Sequence, residues 1–213
     1  MSTIKSAIMA VAFAFACSNV LAEPVAPDDL VKITANEVFG LIKNDEEIQK
    51  GDIKKISKIL EEKVLPHFDL ERMSRVVLGK AWADAPKEQK ELFQKEFQKL
   101  VVHAFSLALS QYHGQPIRYM PLQAHPNDTE VVVKAMVLEP DDDPDMVDFS
   151  MEKKEAGWQV YDVTMDGVSF DTTYHGQFAS AIRTGGLDGL IHKLAEKNKQ
   201  PFSSTATAPG KRG

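Results

Sequence analysis

Two hydrophobic periodicities follow one another along the chain. From residue 28 to about 112, apolar side chains recur every three or four positions, the spacing of a helix face. From 117 to 165 they alternate with polar residues or gather in short β-branched and aromatic runs, which predicts strands. Helical spacing returns between 172 and 198. Asp28 or Asp29 is placed to cap a first helix with Leu30, Ile33, Val38 and Leu41 inward. Asp52 opens a second, with Ile53, Ile56, Leu60 and Val64 on one face, and Leu65-Pro66 stops it. Asp69 caps a short third helix that Gly79 ends. Pro86 suits the first turn of a fourth and longest helix, residues 87–112, whose apolar stripe runs from Leu92 through Phe97, Val101 and Phe105 to Leu109.

The strand-like runs are 117–122, 129–138, 146–152 and 158–165, separated by Gly, Pro, Asn and Asp. Their connections are too short for parallel crossovers, so the pairing is antiparallel. Val147, Phe149 and Met151 alternate with Asp148, Ser150 and Glu152, which predicts burial on one face, whereas Val131-Val132-Val133 is apolar on both. Two helices follow, 172–183 and 187–198, with Gly185-Gly186 between them. The pattern predicts an α+β fold: N-terminal helices including one long one, a four-stranded antiparallel meander, then C-terminal helices, all covering one sheet face.

The ends carry different signals. Lys5 precedes an uncharged run from Ala7 to Ala16, and Val20 and Ala22 are the small residues of a signal-peptidase site. Residues 1–22 are therefore expected to be a signal peptide, with Glu23 as the mature N-terminus. The run is too short to span about 30 Å of hydrocarbon. A lipid-modified Cys17 is the rival, but Ala14-Phe15-Ala16 lacks the aliphatic residue that such sites favour. Cys17 is the only cysteine of the chain, so the mature protein has no disulfide, thiol nucleophile or thiolate ligand. One domain is expected over 23–199, and the Ser, Thr, Ala, Pro and Gly of 200–213 predict a disordered tail.

Charge excludes some partners. The chain has 25 basic and 31 acidic residues, net −6, and losing Lys5 with the leader makes it −7. Without a basic block, neither nucleic acid nor an anionic membrane surface is an expected partner. The carboxylates of Asp141, Asp143, Asp145 and Glu152 imitate a calcium loop, yet Met146 stands where its turn needs Gly. A solvated hairpin loop is the better account. Six histidines show no zinc spacing, and there is no nucleophile elbow, Walker A or dinucleotide fingerprint. The apolar inventory fits either a filled core or a core with a gap for a lipid-like guest.

Several strings together resemble one family. They are Leu65-Pro66-His67-Phe68-Asp69-Leu70-Glu71-Arg72-Met73, Val77-Leu78-Gly79-Lys80 with Trp82, and Pro86 with Gln89 and Phe93. Next come Tyr112-His113-Gly114, Trp158-Gln159-Val160-Tyr161-Asp162-Val163 and Asp166-Gly167-Val168-Ser169, then Gln177-Phe178 and Gly186-Leu187-Asp188-Gly189-Leu190. Over residues 28–198 they resemble the MlaC, or toluene-tolerance auxiliary, family. Asp166 stands where that family is expected to have Glu.

The resemblance implies a periplasmic phospholipid carrier, a monomer without a cofactor that takes lipid tails into a deep apolar pocket. It would exchange lipid with an outer-membrane lipoprotein–porin complex and with an inner-membrane ABC transporter through its MCE-domain subunit. The rivals are an exported lipid-active hydrolase and an exported scaffold with a filled core. Expected lipid-contacting residues are Phe93, Phe97, Val101 and Phe105 on the long helix and Val133 and Val163 on the sheet. Val168, Phe170, Tyr174 and Phe178 follow them. On that assignment a carboxylate at Val168 would abolish carriage. Lys80, Arg183 and Lys193 are candidate steering charges.

Overall fold

Helix α1 (Pro27–Asn44) begins with Pro at its first position and Asp28 and Asp29 in its first turn, both suited to the positive end of a helix. The computed structural model describes residues 25–140 and 142–200. The expected leader, with Cys17 and Glu23, therefore lies outside the described residues, as do Asp141 and the tail from 201. The buried stripe of α1 is Val31, Val38 and Ile42, while Ile33 and Leu41 face solvent. The expected face was rotated because Thr34 and Ala35 share the inward side, and small or hydroxyl side chains carry no apolar signal.

Asp45 caps the single turn α2 (Glu46–Gln49), and Asp52 caps α3 (Ile53–Ile59) by accepting from the amides of Lys54 and Lys55. The expected helix through Val64 does not stay regular. It widens into a π turn over Leu60–Val64 and tightens into a 3₁₀ turn over Leu65–His67. Pro66 removes the N–H that an α-helix would direct at the carbonyl of Glu62, so the ladder loosens ahead of it. Asp69 accepts from the Arg72 amide at 2.8 Å and starts α4 (Leu70–Leu78). Gly79 ends it at φ 52°, where a Cβ would come within 3.2 Å of the His175 ring. A short α5 (Lys80–Asp84) leads to α6 (Lys87–Leu109), with Pro86 as its N-cap.

Five strands form an antiparallel meander in sequence order: β1 (Ile117–Tyr119), β2 (Glu130–Val137), β3 (Asp145–Lys154), β4 (Gly157–Met165) and β5 (Val168–Ser169). The fifth, two residues long, was not expected. Asp166 and Gly167, both at positive φ, turn the chain back so that Thr164 and Met165 pair with Ser169 and Val168. Val160 and Val163 are both buried although three residues apart, because a bulge between Ser150 and Met151 leaves Tyr161 unpaired on β4. Helix α7 (Phe170–Lys199) joins the two expected C-terminal helices, and Gly186 breaks its helical geometry at φ 68°.

All helical packing falls on the sheet face carrying Val131, Val133, Met151, Val160 and Val163. The opposite face is polar and solvated. There Lys134 meets Asp148 at 3.1 Å, and Val132, expected to be buried, is 43% exposed. At the β4 edge the Asp69 amide donates to the Val160 carbonyl at 2.8 Å. From α4, Arg72 lies over the Tyr161 ring at 3.4 Å and pairs with Glu130 at 2.8 Å and with Glu152. Lys154 closes the network on Asp69 and Glu152. One arginine thus ties α4 to three strands, a set of contacts that lysine's single point charge would not reproduce.

Asp171, in the first turn of α7, is buried, and its Oδ1 has no hydrogen-bond partner among the described residues. Burial first, then the charge of Asp162, push its pKa up to about 8, with Arg72 opposing. A carboxyl that holds its proton more tightly folded than unfolded contributes stability below about pH 4 that is lost as pH rises toward 8. Asp171→Asn is expected to remove that loss. In chemical denaturation, the variant's advantage over the parent should grow between pH 5 and pH 8 by up to about 1.4 kcal/mol per pH unit. A constant difference across that range would contradict the assignment.

Candidate functional site

The helices do not fill the space over the sheet evenly. Where α4, α6 and α7 meet, Phe93, Phe97, Phe170, Tyr174 and Phe178 pack ring against ring, with centroids 4.5 to 6.3 Å apart. That compartment is closed. Further along, α1 and the C-terminal half of α6 stand off the sheet and leave a cavity of about 570 Å³.

Each wall follows from a local pattern. From α1 come Leu30, Val31, Thr34, Ala35, Val38 and Phe39, one helical stripe in which the small central pair leaves room. From α6 come Phe105, Ala108 and Leu109. The floor is the inner face of the sheet, with Tyr119 on β1, Ala135 and Val137 on β2, Val147 and Phe149 on β3, and Val163 and Met165 on β4. Their alternation with outward polar residues is the two-residue period of a strand. Several of these apolar residues are only half-buried, and the surface they expose is the cavity wall.

Polar lining groups gather mainly at one end. There Gln111, His113 and Gln115 from the α6–β1 connection meet Glu139, Asp142, Asp145 and Asp166 from the strand ends. Gln111, His113 and Asp142 are exposed, so the cavity opens here. Tyr112 stacks on Phe39 with centroids 4.2 Å apart. Burial raises the pKa of Tyr112 and of Tyr119; for Tyr119 the neighbouring Tyr112 adds to the shift and Lys32 opposes it. Among the described residues no group of three His, Cys, Asp or Glu is arranged to hold a metal. Asp145 and Glu152 lie at opposite ends of β3, about 20 Å apart at strand rise, which separates the carboxylates of the calcium-loop imitation.

The ten expected lipid-contacting residues fall into three places. Phe105 and Val163 line the cavity. Phe93, Phe97, Val101, Phe170, Tyr174 and Phe178 sit instead in the filled compartment. Val133 is covered completely within the sheet's inner layer, and Val168 on β5 is 43% exposed. A carboxylate at 168 therefore enters solvent and not the cavity. Helical phase marks an inward face but not what stands opposite it, and α6 faces a packed bundle along one half and open space along the other. The α1 residues were missed for want of a signal. The Val147, Phe149 and Met151 alternation was the signal available for the floor.

Comparison with known proteins follows the same contour. The family model described as MlaC protein matches residues 32–196. The chain belongs to the MlaC family. The intermembrane phospholipid transport system binding protein MlaC of Haemophilus influenzae is 25% identical over 192 residues, 89% of this chain and 90% of that protein. The toluene tolerance protein ttg2D of Pseudomonas putida is 24% identical over 188 residues, 88% of this chain and 86% of that one. A solved structure of a phospholipid-binding protein from Ralstonia solanacearum, in complex with a phospholipid, superposes with a TM-score of 0.74. It is 32% identical, and the match covers 80% of this chain and 96% of that one. This MlaC-family chain thus has the α+β fold expected, with five strands in place of four.

The two compartments should respond differently to truncation. Phe97→Ala removes a ring from a closed core and is expected to cost about 3–5 kcal/mol in urea denaturation. Phe149→Ala, at a wall that already borders free volume, should cost less than half as much. Equal losses would mean that the wall is as tightly packed as the core.

Proposed function

We propose that this chain is a periplasmic phospholipid carrier, exported by its first 22 residues, which binds acyl chains in the cavity and releases them without chemical turnover. The observation that carries the reading is the apolar cavity of about 570 Å³ on the inner sheet face, within the range of ligand sites. A chain of the same family and fold that is known in complex with a phospholipid supports it. Two acyl tails carry about 30 methylenes, and exposing them to water would cost roughly 24 kcal/mol at 0.8 kcal/mol each. A carrier in an aqueous compartment must therefore shield nearly all of both tails. Among the described residues no helix is long and apolar enough to cross a membrane.

Exchange runs through docking on an outer-membrane lipoprotein–porin complex and on an inner-membrane transporter's MCE-domain subunit. A carrier with this charge and no basic amphipathic helix gains little from colliding with an anionic bilayer. Lys80, Arg183 and Lys193 are exposed and outside the cavity wall, which suits steering and not lipid contact. The carrier works as a monomer, so the contacts are small and transient.

Protein purified from the periplasm without detergent should yield intact diacyl phospholipid on organic extraction. It should pass that lipid to acceptor liposomes much faster with the purified inner-membrane complex than without it. An extract free of phospholipid, or one of hydrolysed esters, overturns the carrier reading. Equally fast transfer without the complex overturns docking.

A further inference from the structure

The carboxylates at the cavity opening are brought together by strand register. Ile117, Val137 and Asp145 lie side by side across β1, β2 and β3, and the Asp166 amide bonds the Met146 carbonyl at 2.9 Å from the end of β4. The same sheet end therefore collects Glu139, Asp142, Asp145 and Asp166, all lining the cavity. No lysine or arginine lines it, and His113 is the one ionisable base at this end. Local bonds hold the rim in shape. Glu139 accepts from Gln115 at 3.2 Å, Asp142 from the Asp143 amide at 2.8 Å, and Asp166 from the Met146 amide at 2.8 Å.

The rim also stands at a particular depth. Tyr119 pairs with Ala135, which pairs with Val147, two residues further into the sheet and about 7 Å below the Val137–Asp145 row. Tyr112 and Tyr119 thus bring phenol groups to the wall between an apolar interior and an acidic mouth. From the inside outward the order is apolar surface, hydroxyl donors, then carboxylates. A lipid with an ammonium-bearing headgroup presents the matching order: acyl chains, ester and phosphate acceptors, then a cation.

We propose that the rim of Glu139, Asp142, Asp145 and Asp166 selects the headgroup, favouring phospholipids that carry an ammonium over those with a net negative headgroup. The inference rests on the carrier reading above and adds to it a substrate preference. Anionic headgroups are not barred sterically; they meet a cluster of like charge, while phosphoethanolamine meets opposite charge.

The test gives delipidated protein a choice between phosphatidylethanolamine and phosphatidylglycerol of identical chains, mixed equally in the same vesicles. Bound lipid is measured by native mass spectrometry. The expected ratio favours ethanolamine by roughly three- to tenfold, the size of a few exposed charge contacts, and shrinks in high salt. The combined Glu139→Gln, Asp142→Asn and Asp166→Asn variant keeps the acceptors of the three bonds and should bring the ratio close to one with total lipid unchanged. The distant set Glu71→Gln, Glu88→Gln and Glu155→Gln changes net charge equally and should leave the preference intact.

A ratio near one in the parent protein overturns the proposal. So does a preference that survives the rim substitutions, or one lost equally in the distant set. Should the rim variant not fold, a parent ratio that high salt leaves unmoved overturns it as well. Total lipid bound is the separate readout, since protein that takes up neither lipid overturns the carrier reading and this inference with it.

Discussion

Keeping about 570 Å³ open under a helical layer is the constraint on which the rest of this structure depends. At roughly 24 cal/mol for each Å³ of unfilled core, a void this size would cost on the order of 10 kcal/mol, as much as the whole stability of an ordinary domain. The chain meets the constraint by division. The bundle of α4, α6 and α7 is packed to closure with aromatic rings, and the α1 side is left to an occupant. Phe105 is the joint between them. It stacks on Phe170 at 5.4 Å on the filled side, meets Phe68 edge-on at 5.7 Å, and still presents part of its ring to the cavity. An acyl chain in the cavity supplies the dispersion contacts that the wall residues otherwise lack, so binding and folding stabilise each other.

The sheet must stay flat enough to floor the cavity while only partly covered. Arg72 accomplishes much of this from the solvated face, joining α4 to β2, β3 and β4 through Glu130, Glu152 and the Tyr161 ring. The bulge at Tyr161 serves both faces at once. It turns that ring outward beneath Arg72 and resets the alternation so that Val160 and Val163 both point in. Rigidity on the outer face is what allows the inner one to be left open.

Elements were legible where one residue type enforces a geometry. Asp52, Asp69, Pro86, Gly79 and Gly186 marked helix ends or breaks, and all five do so in the structure. The antiparallel order followed from short connections. The missed features have different causes. β5 is two residues long, below any periodic signal, and α2 is a single turn that exists because Asp45 caps it. The site was less legible than the fold. Phe97 and Phe105 sit eight residues apart on one helix face with identical chemistry, yet one is sealed among rings and the other borders the cavity. What separates them is the distance to α1, a tertiary quantity carried by Thr34 and Ala35, which look unremarkable in a helical pattern. Recognition of the family rested on the order of many short strings and was insensitive to which of their residues touch the cavity.

The most direct measurement of where a lipid tail resides is photocrosslinking with a phospholipid whose acyl chain carries a diazirine, followed by peptide mapping. The account predicts label on α1 around Thr34 to Phe39 and on the inner sheet face at Tyr119, Val147, Phe149 and Met165, with Phe93, Phe97 and Phe178 unmarked. Label concentrated in the aromatic compartment, or spread over the exposed face around Val132, would contradict it.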